Sequence, residues 1–321
     1  MSDRFHTLLV RALLYVVGAI VLVAAPIAHA DAPAAPRVLD AFEDPTPWSV
    51  VASTQVTGVL RAVGGVEGKA LCLDYDFHGV SGYVGIRRAL PLDYPADYAF
   101  DFRLRGDSPR NNLEFKLVDA SGDNVWWVQR PNRVFSREWQ SVRYRKRHVS
   151  KAWGPSPETG LKHSESVEFT LASGTGGKGS VCFDQLRFTP LTPDDGSPLS
   201  VTRQLGRGEL RLDLGRVREF GGLSLHWPTQ ARFDYALAVS DNGRDWRVLG
   251  DFPRSDGGDD WIALTESEGR FLRVSARDRA TRAALPTLLA SVEPLAFGAS
   301  TNAFLQAVAA RAPRGEWPRG F

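Results

Sequence analysis

Several residues in the first half of the chain carry groups able to do chemistry, and their phase can be read from the apolar positions beside them. In GYVGIRR (82–88), Val84 and Ile86 take the inward phase, which turns Tyr83, Gly85 and Arg87 outward. In NLEFKLV (112–118), Leu113, Phe115 and Leu117 go inward and leave Glu114 and Lys116 outside. In SVEFTLA (166–172), Val167, Phe169 and Leu171 go inward, with Glu168 and Thr170 outside. NVWWVQR (124–130) is ambiguous; if Trp126 and Val128 face in, Trp127 and Gln129 face out. Gathered on one face, such residues would set aromatic planes among hydrogen-bonding groups of both signs. Scattered, they would be an ordinary solvated sheet face with one exposed aromatic.

Other patterns are weaker. Glu114 and Glu168 are paired acids only in composition, because acid–base hydrolysis depends on a separation that the sequence does not give. SGTGGKGS (173–180) fails as a phosphate loop: Ala172 stands where the first glycine is needed, and Gly179 follows the lysine in place of Ser or Thr. There is no G-x-S-x-G and no H-E-x-x-H. Two cysteines cannot build a disulfide framework or a four-thiolate zinc site, and the six histidines are scattered. Arg143, Arg145, Lys146, Arg147, His148 and Lys151 form a basic stretch. It suits an acidic polysaccharide or lipid headgroups, or else it is a solvated strand face. Trp153, in AWGP, either rims a groove or closes a core.

The elements that must carry these residues are strands. Residues 38–190 show short alternating segments, such as KALCLDYDF (69–77), with turn residues every 8–12 positions. A Pro/Asp/Gly-rich linker covers 191–198, and a second β-rich block runs over 199–297. Within it, SDNGRDW (240–246) places Asn242-Gly243 between two strands and predicts a hairpin, because both positions tolerate positive φ. After 297, STNAFLQAVAARAPRG predicts one short helix through Phe304, Leu305 and Val308, followed by an unstructured tail with no closing element; this reads as the start of something longer. Residues 1–30 read as a secretory signal: Arg4 and Arg11, an apolar run from Ala12 to Ile27, then Ala28-His29-Ala30. The alternative is an uncleaved membrane anchor. Export places the mature chain in the periplasm or medium, an oxidising setting. With 321 residues, 43% hydrophobic, and a net charge of +2, the chain is globular, about two domains long, and gives no global sign of nucleic-acid or membrane binding.

The order of DAFEDPTPW (40–48), YDFHGVSGYVGIRRALPL (75–92), NNLEFKLVDASGDNVWW (111–127), AWGP and GTGGKGSVCFDQL (174–186) resembles family-eleven-like carbohydrate-binding modules and the complex I intermediate-associated domains, both galactose-binding-like jelly rolls. GELRLDLG (208–215), SDNGRDW (240–246) and RFLRV (270–274) resemble a shortened discoidin domain. The resemblance implies an all-β chain of two jelly-roll sandwiches in tandem. It implies one concave sheet carrying Tyr83, Arg87, Glu114, Lys116, Trp127, Gln129 and Glu168, a groove fit for sugars, whose C–H faces pack on rings and whose hydroxyls bond to charged side chains. It implies a structural calcium near Glu43 and Asp184. It also makes strands bearing Cys72 and Cys182 neighbours, so the two form a cross-strand disulfide or stay separate surface thiols. The function that follows is non-catalytic binding of a polysaccharide or glycan, as the targeting part of a larger glycan-active protein. A glycan-active enzyme fragment and an assembly factor remain as alternatives.

Overall fold

The computed structural model describes residues 36–193, 202–206, 208–227, 233–255, 257–284, 291–295, 305, 306 and 309. The expected signal segment, the core of the linker and most of the C-terminal tail lie outside these. Within the tail, Leu305, Gln306 and Ala309 are helical. No helix of the described residues is long and apolar enough to cross a membrane. The chain divides into two compact units, 1–193 and 194–321, and the described residues are almost entirely β.

Among its described residues, the first unit contains twelve strands: β1 (Arg37–Asp40), β2 (Trp48–Ala52), β3 (Thr57–Gly64), β4 (Lys69–Asp76), β5 (Gly82–Asp93), β6 (Asp97–Asp107), β7 (Asn111–Val118), β8 (Val125–Arg133), β9 (Gln140–Arg145), β10 (Ser150–Trp153), β11 (His163–Ser173) and β12 (Lys178–Leu191). One sheet runs β3-β4-β12-β6-β9, with β1 also on β12; the other runs β10-β8-β7-β11-β5-β2. All pairings are antiparallel. Each strand alternates, so each sheet has one apolar face, and the two faces close on a shared core. Phe102, Phe115, Phe169 and Phe183 meet there with ring centroids 4.5–6.1 Å apart. Buried Asp40 ties the first strands to this core: it accepts from the Phe42 amide at 2.6 Å and from the Trp48 indole at 2.7 Å, and it pairs with Arg88.

Cys72 and Cys182 are direct partners in the β4–β12 register and are joined by a disulfide. Both stand on the outward phase of their strands, yet both are buried. Arg61, Arg105 and Arg137 line the hollow around them, so an outward position here is a covered one. The basic stretch begins on β9, at the other edge of the same sheet, and runs on to Lys151 on β10 of the second sheet. Arg143 pairs with Asp101 and Arg145 with Asp97, each at 3.2 Å, and Lys146 donates to the Ala96 carbonyl. Arg147 contacts His148, and Lys151 donates to the Ser156 carbonyl.

The second unit contains β13 (Thr202–Gly206), β14 (Glu209–Trp227), β15 (Phe233–Ser240), β16 (Arg247–Ser255), β17 (Gly258–Asp278) and β18 (Ser291–Leu295). Its described strands form one continuous sheet, β13-β14-β17-β15-β16, with β18 on β14. β14 and β17 are 19 and 21 residues long. Irregularities between Asp213 and Arg218, and between Phe220 and Gly222, break their register, and Gly215 takes a φ of 77° at the first of them. Such bulges bend a strand. The bend brings Leu210 and Leu212 from one half of β14 into the same apolar cluster as Leu223 and Leu225 from the other. Two bent strands thus build a layered core from one sheet. The expected hairpin at Asn242-Gly243 is present: β15 and β16 pair antiparallel, joined by a six-residue connection. Gly243 has the positive φ, but Asn242 acts through its side chain, whose Oδ1 accepts from the amides of Arg244 and Asp245 at 2.9 Å.

The Cys72–Cys182 bond closes a separation of 110 residues, for which chain entropy alone gives about 4–5 kcal/mol. Protein unfolded without reductant is expected to show no free thiol. Urea unfolding of the reduced form is expected to lose about 2–5 kcal/mol; equal stability of the oxidised and reduced forms would contradict this linkage.

Candidate functional site

Alternation decides which side chains leave the core, and register decides which of them meet. Glu168 on β11 lies opposite both Arg87 on β5 and Lys116 on β7. Lys116 in turn lies opposite Trp127 on β8. A single row therefore crosses four strands: Arg87, Glu168, Lys116, Trp127. The next row is Gly85, Thr170, Glu114, Gln129. Directly opposed side chains stand about 5 Å apart, so opposite charges here are in contact by construction.

The contacts follow from that placement. The Lys116 ammonium donates to Glu168 Oε1 and lies beside Glu114 Oε2, both at 3.1 Å. Arg87 reaches Glu168 Oε2 through Nε at 2.8 Å and Nη2 at 2.7 Å. The Thr170 hydroxyl also donates to Glu168, and the Gln129 amide donates to Glu114 at 3.3 Å. Glu114, Lys116 and Glu168 are buried although they point away from the core, because they cover one another. Burial would raise the Glu168 carboxyl, but the Lys116 charge, the Thr170 bond and Arg87 outweigh it and hold the group below its ordinary value. Gly85 makes room at this floor: a Cβ there would lie 2.5 Å from the Phe169 carbonyl and 2.9 Å from Thr170 Oγ1.

Aromatic walls rise beside the floor. Tyr83 and Trp153 are 43% and 48% exposed. The Lys116 ammonium lies 5.5 Å from the Tyr83 ring and 5.8 Å from the Trp153 ring, within cation–π range. Trp127 and Trp153 meet edge to face at 5.5 Å. The resulting groove, about 710 Å³, is lined by Tyr83, Arg87, Glu114, Lys116, Trp127 and Glu168, with Trp153 and small apolar residues of β2. Gln129 is exposed and is not a lining residue; it braces Glu114 from outside. Trp153 is in the groove and not in the core, one of the two placements its sequence left open. The reason is an irregularity in the β10–β8 register between Lys151 and Trp153, which sets Trp153 and not Ala152 opposite Val125. Thr170 is the other contributor that residue type alone did not single out. A hydroxyl at i+2 from an outward acid is the signal that points to it.

Glu43 and Asp184 lie apart from the groove and grip the loop between β3 and β4. Glu43 accepts from the Lys69 amide at 3.0 and 3.1 Å, and Asp184 Oδ2 accepts from the Val66 amide at 2.7 Å. A Cβ on Gly68, whose φ is 64°, would lie 2.0 Å from Glu43, and one on Gly65 would lie 2.6 Å from Asp184. Asp184 is fully buried, and its Oδ1 makes no hydrogen bond. Burial raises this carboxyl above its ordinary value, and the nearby Glu43 charge adds to that. An orphaned anionic oxygen beside a second carboxylate fits a hard cation. No cluster of three or more His, Cys, Asp or Glu exists among the described residues, so the remaining ligands would be carbonyl oxygens.

No protein-family model matches the chain, and no curated protein does. Among solved structures, it is similar to the family 11 carbohydrate-binding module from Clostridium thermocellum in complex with a β-1,3-1,4-mixed-linked tetrasaccharide, at 16% identity over 50% of this chain and 98% of that one (TM-score 0.41). The family 11 module of a cellulosomal cellulase of the same organism gives 15% identity over 52% and 100% (TM-score 0.42). A β-1,2-glucanase from Parabacteroides distasonis gives 12% identity over 82% of this chain and 38% of that one (TM-score 0.32). The chain is thus similar, at low identity and over about half its length, to β-sandwich modules of the carbohydrate-binding kind.

Proposed function

We propose that the groove of the first unit binds a glycan chain and does not cleave it. The observation that carries this reading is the charged row Arg87–Glu168–Lys116 at the foot of aromatic walls made by Tyr83, Trp127 and Trp153. Rings offer surfaces for sugar C–H faces, and the fixed charges orient hydroxyls. Cleavage of a glycosidic bond needs one carboxylic acid that keeps its proton near neutrality. Glu168 is held in the opposite direction.

The discoidin-type assignment of the second unit belongs to the same proposal. Its motifs fall on β14, on the β15–β16 connection and on β17, and they converge: the Arg211 and Arg273 guanidinium groups lie 5.6 and 4.5 Å from the Trp246 ring. Export to an oxidising compartment agrees with the Cys72–Cys182 bond. Glu43 and Asp184 would hold a structural calcium, which would give the orphaned Asp184 oxygen a partner and pin the β3–β4 loop.

Truncating Trp153 or Tyr83 to alanine should weaken retention on a soluble glycan about tenfold, or about 1.4 kcal/mol, in affinity electrophoresis; mobility equal to wild type on a glycan that retards the wild type removes the groove reading. An acid with a lowered folded pKa adds stability above its ordinary value and loses it as pH falls through the lowered one. Binding is therefore expected to persist from neutrality down to the ordinary glutamate value of 4.5 and to fail only below it. Loss between pH 7 and 5 would contradict the role given to Glu168. For the cation, the melting temperature should fall on adding a chelator and recover with excess calcium; an unchanged value discards the metal.

A further inference from the structure

Building on the glycan-binding reading, we propose that the groove floor receives the carboxylate of an acidic sugar, a uronate-type residue of the bound chain. The four charged side chains of the groove are equal in number by sign, but they are not equally placed. Glu168 is 2% exposed, and both its oxygens are occupied: one by Lys116 and Thr170, the other by two nitrogens of Arg87. Glu114 spends one oxygen on Gln129 and the other on Lys116. Both acids act as inner counter-ions.

The cations keep what the acids do not. An ammonium carries three N–H donors, and two of those on Lys116 go to the glutamates. A guanidinium carries five, and Arg87 gives Nε and one Nη2 hydrogen to Glu168, which leaves its Nη1 edge on a side chain 47% exposed. What the floor offers a ligand is therefore donors with positive charge behind them, held between the Tyr83 and Trp153 rings. A hydroxyl both donates and accepts, and its donor half finds little here. A carboxylate only accepts, and its planar pair of oxygens matches the free edge of a guanidinium. The rest of the lining adds no further acid. The basic stretch does not provide an alternative seat: Arg143 and Arg145 lie on the other sheet and pair with Asp101 and Asp97, Lys146 donates to the Ala96 carbonyl, Arg147 contacts His148, and Lys151, on β10, donates to the Ser156 carbonyl.

The test uses the full chain and three acidic polysaccharides (polygalacturonate, polymannuronate and glucuronoxylan), each beside its carboxyl-reduced neutral counterpart, by isothermal titration calorimetry and affinity electrophoresis. Carboxyl reduction keeps the backbone and turns each carboxylate into a neutral primary alcohol. At least one acidic form should bind about tenfold more tightly than its reduced partner, and rising salt should shrink that ratio. Arg87→Gln should bring the ratio to near one. The wild-type ratio is itself decisive, so the test survives a variant that folds poorly. Equal or tighter binding of the reduced forms overturns the acidic-sugar assignment and leaves glycan binding standing. No binding of any polymer, acidic or neutral, overturns both.

Discussion

The first unit depends on one constraint: a lysine ammonium held out of water between two glutamates, one on its own strand β7 and one on the paired strand β11. Charges so placed lose hydration worth several kcal/mol each, in order-of-magnitude terms. Only near-contact with opposite charge offsets such a loss. The offset is available because β5, β11, β7 and β8 are neighbours in a register that puts Arg87, Glu168, Lys116 and Trp127 in line. The inner face of the same strands is apolar at Val84, Ile86, Leu113, Phe115, Leu117, Val167, Phe169 and Leu171. A slip of one residue would drive the acids into that core and expose the aromatics. The core thus fixes the floor, and the floor penalises any other register.

The two sheets treat charge differently. On the sheet that bears the disulfide, cations meet acids pair by pair, as in Arg61 with Asp74 and Arg143 with Asp101, largely at the surface where each pair is screened. On the groove sheet the charges are linked in one chain and mostly buried, so each depends on the others. The first arrangement keeps a face soluble. The second builds a rigid polar surface able to receive a ligand without rearranging.

What could be read from sequence, and what could not, divides along a physical line. Facing is a local property: two apolar neighbours at i and i+2 settle it, and the facing of Tyr83, Arg87, Glu114, Lys116 and Glu168 was legible for that reason. Register is not local. Nothing within SVEFTLA says that Glu168 meets two cations on two different strands, or that Thr170 completes its shell. Trp153 escaped for the same cause, since a one-residue irregularity on an edge strand reverses facing without leaving a compositional trace. Burial misled in the other direction at Cys72 and Cys182, where long arginines on the outward side cover positions that alternation alone leaves open. In the second unit, the apolar alternation announced strands but not their length, and two long bent strands, β14 and β17, run through the whole of its layered core.

The linked charges carry a consequence for how such a surface can change over generations. Losing any one member of the Arg87–Glu168–Lys116–Glu114 chain strands its neighbour in a dry place, so single replacements there are heavily penalised while matched double replacements are not. The rings at the rim bear no such debt to one another. New ligand preferences in this lineage would therefore arise first at Tyr83 and Trp153, with the polar base inherited as a block.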